Sequence, residues 1–195
     1  TYLAGVWFPD KTRVGWWKNG YPKYFGKVPN SPSFINMGIT INGEKLDLAK
    51  VKFSDFYLAL DMHQGLLTRS FTYEGKDTKV KFEFERFLHI TLKEAALIKV
   101  KATVLSGKAK IDFDAALDGT VVNEDSNYDA KFWMHLGENA EARTIKVETK
   151  ANPYKVPQFT VLLKQSLRHN GEVVKGDVST EAAQLHEKLS VELNE

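Results

Sequence analysis

Between positions 79 and 85 the chain alternates Lys79, Lys81, Glu83 and Glu85 with Val80, Phe82 and Phe84. A period of two sends one set of side chains to each face of an extended strand, so the stretch fits an antiparallel sheet with one buried and one wet face. A helix would scatter the same charges around its circumference. The pattern recurs: Ile111, Phe113 and Ala115 share a face within 109–117, and further strand-like runs cover 53–60, 66–73, 96–105, 131–136, 143–150 and 159–167. At Arg86-Phe87-Leu88 the alternation slips, and a bulge or a sheet edge is expected there.

Turn chemistry separates these runs. Asn42-Gly43, between Ile39-Thr40-Ile41 and Leu46-Asp47-Leu48, accepts the positive φ angles of a type I′ turn and is the strongest hairpin signal. Asn170-Gly171 repeats it ahead of Glu172-Val173-Val174, while Ser106-Gly107, Asp118-Gly119 and the segments 61–65 and 74–77 mark further reversals. Val28-Pro29-Asn30-Ser31-Pro32 must be extended or turning. Helix is scarce. Ser179 or Thr180 could cap a brief helix or turn through Leu185, after which Leu189, Val191 and Leu193 return to alternation. The reading is an all-β antiparallel sandwich over 1–195, taken as a single domain.

Composition narrows the function. A chain of 195 residues can bury a core without staples, hiding roughly 70% of its unfolded surface. With no cysteine there is no disulfide framework and no thiolate metal site, which fits a reducing compartment, with the cytoplasm as the default. The formal charge is +2 and Lys is interleaved with Asp and Glu, so no electrostatic footprint for nucleic acid is present. No apolar run has bilayer length, which argues against a membrane role. The chain opens at Thr1, and 2–8 reads as a buried strand, as though cut from something longer.

Catalytic constellations are scarce. There is no phosphate-cradling Gly loop and no Gly-x-Ser-x-Gly elbow. His63, His89, His135, His169 and His186 lack partners at metal-ligand spacing. Glu83 with Glu85, and Asp112 with Asp114, share strand faces as a two-carboxylate site would, but each pair lies among lysines and reads as a solvated face. Glu124, Asp125 and Asp129 lack the spacing and central Gly of a calcium loop. No catalytic residue, cofactor or metal site is assigned.

The densest aromatic stretch breaks both periods. Trp16, Trp17, Lys18, Asn19, Tyr21, Tyr24 and Phe25 are punctuated by Gly20, Pro22 and Gly26, which predicts an ordered loop. It either caps its own core or forms a contact surface, since Trp and Tyr anchor interfaces and their faces stack on sugar rings. These seven residues are the candidate interface or sugar contacts.

Spaced motifs carry a resemblance. Tyr2-Leu3-Ala4-Gly5-Val6, the stretch from Trp16 to Pro22 with Tyr24-Phe25-Gly26-Lys27-Val28-Pro29-Asn30, Ile41-Asn42-Gly43-Glu44, Leu60-Asp61-Met62, Gly65-Leu66-Leu67-Thr68-Arg69, Arg86-Phe87 and Leu117-Asp118-Gly119 follow in order. Together they resemble the N-terminal domain of glycoside hydrolase family 65, most of all its maltose phosphorylases. Beyond Gly119 the likeness rests on strand pattern. The resemblance implies a galactose-mutarotase-like super-sandwich belonging to a multidomain enzyme whose catalytic (α/α)6 barrel lies outside this chain. Such an enzyme cleaves maltose with inorganic phosphate and inversion, giving glucose and β-glucose 1-phosphate. A barrel glutamate serves as acid and phosphate as nucleophile. This chain would then be a non-catalytic scaffold, with the barrel of the same parent chain as partner, a second subunit as possible partner, and disaccharide and phosphate bound by the parent. A stand-alone carbohydrate-binding module and an aldose-1-epimerase-like enzyme are the alternatives. The latter needs a converging His and carboxylate that the sequence does not locate.

Overall fold

In the computed structural model, residues 1–12, 20–123 and 131–195 are described; 13–19 and 124–130 lie outside the description. The chain is all-β and sandwich-like, with no helix among the described residues. Its first eight strands are β1 (Phe8–Lys11), β2 (Tyr24–Lys27), β3 (Ser33–Ile41), β4 (Glu44–Lys45), β5 (Phe53–Asp61), β6 (Leu66–Glu74), β7 (Lys79–Leu88) and β8 (Ala96–Ser106). The rest are β9 (Lys108–Asp118), β10 (Trp133–Asn139), β11 (Thr144–Thr149), β12 (Thr160–Lys164), β13 (Leu167–His169), β14 (Glu172–Val174), β15 (Asp177–Glu181) and β16 (Gln184–Asn194). The paired strands whose register is described all run antiparallel.

Two compact units divide the chain, one from Thr1–Asn36 with Ala115–Lys188, the other from Met37–Asp114 with Leu189–Glu195. The second holds the four-stranded sheet β5-β6-β7-β8. Its core gathers Ile39, Ile41, Phe71, Tyr73, Val80, Phe82, Val104, Ala109 and Ile111, among which Val80, Phe82 and Ile111 are those that alternation assigns to a shared face. Phe71 contacts Phe82 and Phe84 at centroid separations of 5.6 and 5.8 Å. The β3–β4 turn has Asn42 and Gly43 at φ 50° and 86°, the two positive angles a type I′ hairpin needs. Gly107 turns β8 into β9 where a side chain has no room, since a Cβ would meet the Asp77 carbonyl oxygen at 2.2 Å.

The first unit contains β1-β2, β10-β11-β12 and β13-β14. One apolar group is built on Leu117, Ile145 and Leu185, and another on Trp133, Val147 and Ala183. The 28–32 segment joins no ladder, and its backbone groups find partners in side chains and in the Thr1 carbonyl. Asn30 donates its N–H to Asn123 Oδ1 and its side-chain amide to the Val122 carbonyl, both at 2.8 Å, while Trp133 Nε1 donates to the Asn30 carbonyl at 2.7 Å.

One expectation is corrected, and two that left alternatives open are decided. The opening residues are not a buried strand: Tyr2 is 67% exposed, Val6 turns back to donate to the Leu3 carbonyl, and pairing begins only at Phe8. An apolar run carries no information about which of its faces is covered. At Arg86 the expected bulge or edge is an edge. Register holds from Val80 to Leu88 against β8, but pairing with β6 stops at Arg86, so Phe87 and Leu88 run on as an edge. Between β15 and β16 the brief helix or turn is a turn, with Ala182 and Ala183 at φ 32° and 70°.

Candidate functional site

The aromatic stretch lies in the first unit. Trp16, Trp17, Lys18 and Asn19 fall outside the described residues. The chain on either side is tied together: Thr12 donates its N–H to the Lys23 carbonyl at 3.1 Å and its hydroxyl to the Pro22 carbonyl at 2.5 Å. Behind this tie β1 and β2 pair from Phe8↔Lys27 to Lys11↔Tyr24, so Tyr24, Phe25 and Gly26 lie in a strand and not in the expected loop. Tyr24 is partly buried between Trp7, 6.4 Å away and near-parallel at 17°, and Tyr154, 4.4 Å away. Tyr154 donates its hydroxyl to the Lys23 carbonyl at 3.3 Å. Tyr21 and Phe25 meet edge to face at 6.1 Å, and both remain nearly half exposed. Thus Tyr24 belongs to a packed stack, whereas Tyr21 and Phe25 present ring surface to solvent. The sequence reading missed Trp7 and Tyr154, because contacts between distant positions leave no mark in local spacing.

Of the carboxylate pairs, Glu83 and Glu85 belong to a charge ladder. Across β7 and β8, Glu83 meets Lys101 at 3.4 Å and Glu85 meets Lys99 at 3.1 Å, while Lys81 on β7 itself lies 3.5 Å from Glu83. Desolvation pulls the Glu83 carboxyl up, but Lys101 and Lys81 outweigh it and hold the group below its ordinary value. Asp112 accepts the Ser190 hydroxyl at 2.5 Å. The ladder side chains are substantially exposed, which places them in the solvated-face geometry that alternation predicts. His135 contacts Glu138, and His89 accepts the Leu92 N–H at 2.9 Å. Among the described residues no group of three or more His, Asp or Glu could hold a metal ion, and no helix is long and apolar enough to cross a membrane.

One buried carboxylate was not anticipated. Glu187, 1% exposed, accepts Arg143 Nε at 3.1 Å, the Gly176 N–H at 3.1 Å and Gln165 Nε2 at 3.2 Å. With three donors the charge is fully partnered, which makes it a structural clasp.

The opposite face of β5–β8 carries a second feature the sequence reading passed over. From β7 it presents Val80, Phe82, Phe84, Arg86 and Leu88, and from β6 Tyr73, Phe71, Arg69 and Leu67. One end is buried core. At the other end Arg69 lies 4.3 Å over the Phe84 ring, and Leu58, Leu60 and Leu88 are 56%, 60% and 68% exposed. Burial, and then the neighbouring Arg86, lowers the Arg69 pKa from its ordinary value. The signal was present as two cations standing in the apolar phase of adjacent strands; what looked like a slip at Arg86 is an arginine in phase.

These features define an antiparallel β-sandwich-like domain with partnered buried charge and uncovered aromatic and aliphatic surface. The chain belongs to the N-terminal domain family of glycosyl hydrolase family 65, whose family model matches residues 1–195. It is 44% identical to the maltose phosphorylase of Bacillus subtilis (strain 168) over 93% of this chain and 24% of that protein. It is also 28% identical to the kojibiose phosphorylase of Thermoanaerobacter brockii, over 50% of this chain and 13% of that one. Among solved structures, a putative kojibiose phosphorylase from the human microbiome shares the fold at a TM-score of 0.77 and 21% identity, covering 99% of this chain and 24% of its own. The chain therefore spans about a quarter of the length of the maltose phosphorylase it matches.

Proposed function

We propose that this chain is the non-catalytic N-terminal scaffold domain of a disaccharide phosphorylase that cleaves maltose with inorganic phosphate. The observation that carries the reading is 44% identity to a maltose phosphorylase along 93% of a chain that covers only 24% of that enzyme. The ionic ladders on β7 and β8 and the fully partnered Glu187 support it, because these charged groups are engaged in structure and leave no free acid–base pair among them. In this reading Trp16, Trp17, Lys18, Asn19, Tyr21, Tyr24 and Phe25 form a contact region toward the catalytic barrel of the same parent chain or a second subunit. Disaccharide and phosphate bind elsewhere in the parent.

The test is a glucose-release assay with maltose and phosphate. The chain alone releases none, while the full-length protein that contains it releases glucose and glucose 1-phosphate. Release by the chain alone would refute the scaffold role, and release from another disaccharide in preference to maltose would move the substrate. Half-exposed Tyr21 and Phe25 favour one second reading, a sugar-stacking platform. Titration calorimetry with maltose decides it, with heat that vanishes in Tyr21→Ala supporting the platform and no heat removing it.

A further inference from the structure

We propose that the uncovered end of the apolar β5–β8 face is a docking surface for an apolar segment carrying a carboxylate, which seats on Arg69 and Arg86. The segment comes from the part of the full-length protein beyond this chain. The inference rests on the scaffold reading and adds the place and chemistry of contact.

Three observations converge. The first is shape and composition: Leu58 pairs with Arg69, Leu60 and Arg86 both pair with Leu67, and Ile98 pairs with Arg86, so the cations sit within an aliphatic frame. Leu58, Leu60 and Leu88 are more than half exposed, while the same face at Phe71, Val80 and Phe82 is closed. Such a contiguous apolar area marks an interaction surface.

The second is unanswered charge. Arg69 and Arg86 are half-buried, one cation bears on the other, and the one arginine ion pair among the described residues is Arg143–Glu187. The sheet's own acids are committed elsewhere. Glu83 and Glu85 point to the other face with lysines, Asp55 accepts the Ser54 and Thr72 hydroxyls, Asp61 accepts the His63 and Gln64 N–H groups, and Glu74 is held by Lys52 and Ser54. Two half-desolvated guanidiniums on one apolar face call for an anion from outside, and a planar fork of donors fits a carboxylate.

The third concerns the occupant. The matched maltose phosphorylase holds about three quarters of its length outside the region this chain covers, so ample polypeptide is available as a permanent neighbour. A second copy meeting this face through a two-fold axis would bring like charges together. A small anion would leave the leucines in water.

The experiment maps arginine and aliphatic reactivity by mass spectrometry, using phenylglyoxal and hydroxyl radicals, in this chain alone and in the full-length protein. Arg69, Arg86, Leu58, Leu60 and Leu88 are expected to react in the chain and to be protected at least about tenfold in the full-length protein. Leu60→Lys, placed in the full-length protein, should return both arginines to chain-like reactivity, since it disrupts apolar docking without supplying a carboxylate. Arg69→Gln with Arg86→Gln should lower its thermal midpoint, an effect absent in the chain alone. Equal labelling of both forms overturns the docking surface, whatever the glucose-release assay shows. Protection of the leucines without a midpoint loss in the double variant overturns the carboxylate while leaving the scaffold reading intact. Protection in the chain alone, whether by millimolar phosphate or by concentration-dependent self-association, also overturns it, by assigning the site to a small anion or to a second copy.

Discussion

Glu187 and the Arg69–Arg86 pair both take charge out of water, and they resolve it in opposite ways. Around Glu187 the chain brings donors from Arg143, Gln165 and Gly176. Around Arg69 the described residues supply the rings of Phe84 and Phe71, 4.3 and 5.8 Å away, and a second cation. The difference teaches which charge belongs to the fold. A group answered from within is part of the fold's stability, and its loss is felt in the chain alone. A group left unanswered costs the isolated chain something, and its return comes only on assembly.

The comparison can be broken at its strongest point first. Arg143→Met leaves Glu187 buried without its cation and should cost about 3–5 kcal/mol in urea unfolding of the chain; a loss below 1 kcal/mol would show that Gln165 and Gly176 suffice. Next comes Gly176, where a Cβ would meet the Lys188 carbonyl oxygen at 2.2 Å and the Glu187 side chain at 3.1 Å. Gly176→Ala should therefore destabilise by about 1–3 kcal/mol through forced backbone movement, read by the same unfolding curves. On the other side, Arg69→Met should shift stability by no more than about 1 kcal/mol, the stacking on Phe84 being offset by relief of repulsion.

The smallest effects are in pH. Lys52 and then Ser54 hold the Glu74 carboxyl below its ordinary value of 4.5, and the lysines do the same for Glu83. Because the folded values are depressed, their stabilisation is present above pH 4.5 and lost as pH falls through the lowered values. At the alkaline end, burial and then the bond to Glu44 raise the Tyr73 pKa from 10.0 to about 12. That contribution is full below pH 10 and lost as pH rises toward 12. Thermal midpoints measured from pH 3 to 5 and from 9 to 12 in Glu74→Gln and Tyr73→Phe should each lose the corresponding limb.

Much of the fold was legible because its causes are local. Alternation in 79–85 places Val80, Phe82 and Phe84 inward, and Asn42-Gly43 and Asn170-Gly171 each close a two-residue hairpin. The family motifs were legible as well, since they lie in order along the chain. What escaped depends on distance in sequence: the Trp7-Tyr24-Tyr154 stack, the hold of Asn123 on Asn30, and Glu187 with its three donors. The 2–8 run failed as a buried strand because hydrophobicity does not say what covers it. Arg86 was the most instructive case. Its phase was intact, and a cation in an apolar phase is itself a sign of a face that continues beyond the core.

The most direct test sets two cationic substitutions side by side in the chain alone, Arg143→Met in the clasp and Arg86→Met on the open face, each followed by urea unfolding. The first should lower stability by about 3–5 kcal/mol and the second by less than about 1 kcal/mol or not at all. Equal losses would contradict the division, by showing that Arg86 is already answered within the chain and waits for no partner.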